Sequence, residues 1–89
     1  MEILYDDVKR LGNIEKHGHD FAVLEMDFFE DALIVPAHSG RWKAIGFFRD
    51  GTLVVVFATL GHEAVSLISM RAASRNERRL YEHYRKTSP

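Results

Sequence analysis

The sequence predicts an α+β domain: a small four-stranded antiparallel meander with a short N-terminal strand, two N-terminal helices and one C-terminal helix. Three observations lead there. The chain has 89 residues, too few for two ordinary domains, so residues 1–89 form one. Apolar residues recur at helical spacing before Ala32 and as short strand-like runs after it. The links between the later runs are short and rich in turn residues, which forces antiparallel neighbours.

Each element follows from its residues. Ile3-Leu4-Tyr5 reads as a short strand. Asp6 or Asp7 suits a helix N-cap, and Val8, Leu11 and Ile14 form one apolar stripe behind it. That helix ends at His17-Gly18, where glycine tolerates the left-handed conformation. Asp20 caps a second helix that carries Phe21, Leu24 and Phe28 at spacings of three and four. Four strand-like runs follow: Leu33–Val35, Trp42–Phe48, Leu53–Thr59 and Ala64–Met70. His38-Ser39-Gly40, Asp50-Gly51 and Gly61-His62 break them, and Asp-Gly is a strong hairpin signal. The run Leu53–Ala58 is apolar on both faces, as a central strand covered on both sides must be. Ser74-Arg75-Asn76-Glu77 is a capping box that opens the last helix. Leu80, Tyr81 and Tyr84 make its apolar side, and Lys86-Thr87-Ser88-Pro89 should fray.

Composition excludes several chemistries. The chain has no cysteine, so disulfides, thiolate metal sites and a cysteine nucleophile are impossible. The N-terminal residues lack the pattern of a signal peptide, and the longest apolar run is far short of a membrane span, so the expected compartment is the cytoplasm, with no membrane partner. The six glycines are dispersed and make no phosphate-cradling loop, so no cofactor is expected. The formal net charge of −1 taken alone argues against nucleic-acid binding. Its distribution argues otherwise. Residues 1–40 hold three basic and nine acidic side chains, a net of −6; residues 41–89 hold nine basic and four acidic, a net of +5. Such a split fits a charged partner as well as it fits an ordinary solvated surface.

The basic residues gather at Met70–Arg79. Arg71 ends a strand, and Arg75, Arg78 and Arg79 fall in the first two turns of the last helix, where the helix dipole disfavours cations. A sequence that accepts this cost is holding positive charge for an anion, and Arg forks beside helix N–H groups suit a phosphate. The plain alternative is a solvated basic face. Lys16 and His17 end the first helix, where capping explains them, but His17 is also a possible acid or base. His17 and His19 alone make a poor zinc site, so no metal ligands are expected. Arg41 and Lys43 flank Trp42, with Trp42 read as core and the two cations as rim or as nucleic-acid contacts. Glu77 is read first as a cap and only second as an acid or base.

Taken together, these residues resemble the BrnT family of type II toxins. The resemblance runs over nearly the whole chain. It rests on Tyr5-Asp6 followed by Lys9 and Asn13, on Lys16-His17-Gly18 with Phe21, and on Phe28-Phe29-x-Asp31. It continues through Arg41, Ile45-Gly46, and Ile68-Ser69-x-Arg71-x-Ala73 followed by Glu77-Arg78 and Tyr81. Tyr5 is a departure, since the family pattern has Trp before this Asp. The resemblance implies a RelE-like fold and a metal-independent RNA endonuclease that inhibits translation. It implies a BrnA-like ribbon-helix-helix antitoxin, a heterotetramer of two toxins and two antitoxins, and promoter DNA bound only through the antitoxin. On that reading Lys16, His17, Arg71 and Arg78 are catalytic, with Arg71 and Arg78 on the phosphate and His17 transferring protons. Arg41, Lys43, Arg75 and Arg79 are further RNA contacts. Two rivals remain: a non-catalytic binding module that serves as partner or co-repressor of a ribbon-helix-helix DNA-binding protein, and a metal-dependent hydrolase built on His17 and His19.

Overall fold

Leu53, Val54, Val55 and Phe57 are all buried, and their run is the middle strand of the sheet in the computed structural model, which describes residues 1–87. The elements are β1 (Glu2–Leu4), α1 (Asp7–His17), a 3-10 turn (Phe21–Val23), α2 (Met26–Glu30), β2 (Leu33–Pro36), a turn at His38–Gly40, β3 (Trp42–Phe48), β4 (Gly51–Leu60), β5 (Ala64–Ala72) and α3 (Arg75–Thr87). The sheet order is β1-β5-β4-β3-β2. Strands β2 to β5 form the expected antiparallel meander. The short N-terminal strand joins the same sheet, parallel to β5, so the sheet is five-stranded and mixed rather than four-stranded.

The two faces divide the core. Ala44, Leu53, Val55, Phe57, Leu67 and Met70 look toward Phe21, Leu24 and Phe28. Ile45 and Val54 look the other way, toward Ala73 and Tyr81 at α3. Full burial of one large apolar side chain contributes about 1.5–3 kcal/mol, so both faces matter to a chain without covalent crosslinks. Gly46 lets α2 approach the sheet: a Cβ there would stand 3.1 Å from the Phe28 ring and 3.3 Å from Ala32.

Several expectations need correction. The stripe on α1 is not core: Val8 is 83% exposed and Leu11 59%. The helix instead turns Arg10, Asn13, Ile14 and His17 inward, with Asn13 buried. Asn13 decides this orientation. Strand β1 covers the edge of β5 only over Ala64–Ser66. Further along, the Asn13 amide stands in for a strand: Met70 N–H donates to its Oδ1 (3.0 Å), and its Nδ2 donates to Met70 O (2.9 Å) and His19 O (2.8 Å). Satisfying a buried edge outweighs burying two aliphatic side chains.

The second predicted helix breaks into the turn Phe21–Val23 and the short α2, with Leu24 extended between them. The two pieces have different anchors. Asp20 accepts two bonds from Arg10 of α1 and one from Ala22 N–H, and Phe21 meets the Tyr5 ring edge-on. Phe28 instead seats over Gly46 of β3.

Register also shifts the hairpin: Phe48 pairs with Gly51, so the turn residues are Arg49 and Asp50, and Arg49 takes the positive φ of 59°. Trp42 is 37% exposed rather than core, because it lies at the first position of β3, beyond the packed layer. Leu80 is 47% exposed, so the buried side of α3 is Tyr81 with half-buried Tyr84. The expected fraying does not reach Thr87, whose hydroxyl donates to His83 O (3.0 Å); Ser88 and Pro89 lie outside the described residues.

Replacing Asn13 with Ala orphans the Met70 N–H and C=O. It should lower the unfolding free energy by about 1–3 kcal/mol, read by urea denaturation. Replacing Val8 with Ala should change it far less, because Val8 is largely exposed.

Candidate active site

The end of β5, the start of β3 and the first turn of α3 meet at one carboxylate. Arg71 follows Met70 on β5 and points to the α3 face, opposite Val54. Lys43 lies two residues before Ile45 on β3 and so shares that face. Glu77 belongs to the capping box, which forms as expected: Glu77 N–H donates to Ser74 Oγ (3.2 Å), and Ser74 N–H donates to Glu77 Oε1 (2.9 Å). The carboxylate then does more than cap. It accepts two bonds from the Arg71 guanidinium, at 2.7 and 2.9 Å, and one from Lys43 Nζ at 2.9 Å. The Glu77 side chain is 12% exposed, while Arg71 and Lys43 keep 32% and 28%.

The electrostatics follow from those contacts. The Arg71 hydrogen bonds, helped by Ser74 N–H and Lys43, hold the Glu77 carboxyl well below the ordinary carboxylate range despite its burial. The same pair raises Arg71. At the other end of the chain, Arg10 lowers Asp20 to about 2.

Beside this cluster is an open cleft of about 470 Å³, lined by Pro36, Ala37, His38, Arg41, Lys43, Val56 and Arg71. It brings three of the cations singled out in the sequence (Arg41, Lys43 and Arg71) to one place. Arg78 is differently occupied: its Nη1 donates to Ala73 O at 3.1 Å. Arg75 and Arg79 are exposed on α3. Lys16 and His17 do not line the cleft. His17 is half-buried on the inward side of α1, one turn beyond Asn13, which is bonded to the residue preceding Arg71.

Two further residues stand at this place: Glu77, whose sequence pattern shows only a cap, and His38, whose pattern shows only a turn; nothing in the local pattern of either shows the cleft that tertiary structure builds beside them. A larger cavity of about 760 Å³ lies at the far end of β3. It carries Glu25, Asp27, Glu30 and Asp31 against Arg49 and Arg85, beside Phe47 and Tyr84, a net negative lining that suits a polyanion less well. Among the described residues no group of three His, Asp or Glu side chains is placed to hold a metal ion, and no helix is long and apolar enough to cross a membrane.

The cleft can hold an anion. Arginine has five N–H donors and lysine three. Arg71 uses two on Glu77 and one on Ala72 O (3.3 Å), and Lys43 uses one on Glu77. Two donors remain on each, beside open solvent.

Comparison with known proteins identifies the family. The family model of the ribonuclease toxin BrnT of type II toxin-antitoxin systems matches residues 5–77. Among solved structures, the chain is similar to the Brucella abortus ribonuclease toxin BrnT, with 46% identity and a TM-score of 0.79, over 84% of this chain and 99% of that one. No curated protein matches the chain.

Because its folded-state carboxyl is depressed, Glu77 adds stability that is fully present above about pH 4.5, the range of an ordinary Glu, and that is lost as pH falls toward the folded-state value. Glu77→Gln should cost about 1–3 kcal/mol at neutral pH, and the gap from the parent should shrink steadily below pH 4. Urea denaturation at pH 7 and pH 3 reads both.

Proposed function

The chain belongs to the BrnT family of ribonuclease toxins of type II toxin-antitoxin systems, and from that premise we propose that the Arg71 cleft cleaves RNA without a metal ion. The observation that carries this reading is the convergence of Arg71 and Lys43 from separate strands, each with donors to spare, at one open cleft.

Metal-free cleavage uses the substrate's own 2′-hydroxyl. Its oxygen attacks the adjacent phosphorus while a base takes the hydroxyl proton. The P–O5′ bond breaks, and an acid gives a proton to the departing 5′-oxygen. The products are a 2′,3′-cyclic phosphate and a 5′-hydroxyl, so atoms and charge balance without a co-reactant. Negative charge grows on the non-bridging oxygens, where fixed cations stabilise the transition state more than the ground state. Arg71 serves these oxygens, with Lys43 and Arg41 beside it. Arg78, Arg75 and Arg79 extend the positive surface along α3 for the flanking phosphates. His17 transfers one proton, supported electrostatically by Lys16; the Asn13–Met70 bonds fix the end of α1 to the strand that carries Arg71.

The cellular setting follows from the family. The target is RNA and the partner an antitoxin. In the finer reading the fold is RelE-like, the antitoxin is a BrnA-like ribbon-helix-helix protein, and two toxins bind two antitoxins. Promoter DNA is then bound through the antitoxin, and the toxin acts in the cytoplasm on translation. The chain's own charge pattern supports an RNA target, with nine of its twelve Lys and Arg side chains in residues 41–89.

Purified protein with RNA in EDTA should yield fragments with 5′-hydroxyl ends. Arg71→Ala should reduce that cleavage by about a hundredfold or more and relieve growth arrest, and so should Arg71→Ala combined with Glu77→Gln, which leaves no stranded carboxylate. Cleavage that requires added divalent metal would overturn metal independence. Undiminished cleavage by Arg71→Ala would remove this cleft from the reaction.

A further inference from the structure

The reaction needs two proton transfers, and the cleft wall carries a group suited to one of them. Between β2 and β3 the chain makes the tight turn His38–Gly40. Ser39 and Gly40 are both left-handed, with φ of 60° and 73°. A non-glycine residue held there costs on the order of 1 kcal/mol, and such strain persists only where surrounding contacts enforce it. Here they do: Ala37 N–H donates to Arg41 O at 2.9 Å, and Arg41 N–H donates to His38 O at 3.3 Å. The turn is closed at both levels. It presents the exposed His38 imidazole and the Arg41 guanidinium to the same cleft as Lys43 and Arg71.

The other groups at this cleft are poor proton carriers. The turn and β2 contribute uncharged Pro36 and Ala37 besides His38, β4 contributes Val56, and the remaining polar lining is Arg41, Lys43 and Arg71. Arginine and lysine side chains ordinarily keep their protons near neutrality, whereas imidazole exchanges them there. Glu77 of α3, against Lys43 and Arg71, is kept ionised by those cations and is a weak base. His17 lies outside the lining.

We propose that His38 is a catalytic residue of the RNA cleavage, one member of the acid–base pair, acting at the phosphate held by Arg71 and Lys43. This rests on the reading of the cleft as the cleavage site. The two proton transfers are then divided between His38, on the β2–β3 turn, and a second group, which His17 supplies in the reading above.

The test uses the full chain and a short oligoribonucleotide in EDTA. His38→Ala and His38→Gln alter only an exposed turn side chain, so circular dichroism and melting should match the parent. Both should slow cleavage by about a hundredfold or more at neutral pH, and the pH–rate profile should lose one limb. Parent-like rates in both variants would overturn the proposal, as would a slowed rate with the pH profile unchanged. Arg71→Ala run in parallel separates the two levels: inactive Arg71→Ala with active His38 variants sinks only this inference, whereas active Arg71→Ala sinks the cleft reading beneath it.

Discussion

Three elements of this protein are held in register by the Glu77 carboxylate. It caps α3 through Ser74, receives Arg71 from β5 and receives Lys43 from β3. A carboxylate so placed could not be left unpaired, since removing its cations would strand a charge that is nearly nine-tenths covered. The same contacts set the start of α3 and bring two cations side by side while leaving donors on both. The position of the site and the packing of the last helix are therefore one constraint seen from two sides.

The Asn13 amide has the matching role on the other edge of β5. It completes the hydrogen bonding of Met70 and ties α1 to the strand one residue before Arg71. The helix gives up a clean apolar face for this, and Val8 and Leu11 stay in solvent. With β1 covering the lower part of the same edge, β5 has neighbours on both sides and ends where the cleft begins. A rigid strand end is a good mount for a side chain that must meet a phosphate.

Much of this was legible in the sequence. The double-faced run Leu53–Ala58 marked the central strand, the short links marked the meander, and Ser74-x-x-Glu77 marked the start of α3. These signals are local, and local physics decides them. The misses share the opposite property. Periodicity points Val8, Leu11 and Ile14 inward together, but one amide matched to a bare strand edge 57 residues away turns Ile14 in and leaves Val8 and Leu11 in solvent. The Phe21, Leu24 and Phe28 spacing looked like one helix until two distant anchors divided it. Arg41, Lys43 and Arg71 stood out by charge, yet only the sheet register shows that they share a cleft. His38 looked like punctuation between strands because its neighbours are turn formers. Its companions arrive from β3 and β5.

In the proposed reaction the basic half of the chain carries most of the RNA surface, His17 and His38 join it from the other half, and the Arg71–Lys43 cleft seats the reacting phosphate. The aromatic cavity of net negative charge at the far end of β3 is larger than this cleft, so it is the natural competitor. Titration of the isotope-labelled protein with an uncleavable oligonucleotide, 2′-O-methylated throughout and followed by NMR, tests this most directly. The account predicts that side-chain and backbone signals of Arg71, Lys43, Arg41 and His38 move first and furthest. Shifts centred on Phe47, Tyr84 and Arg85, with Arg71 and Lys43 unmoved, would contradict it.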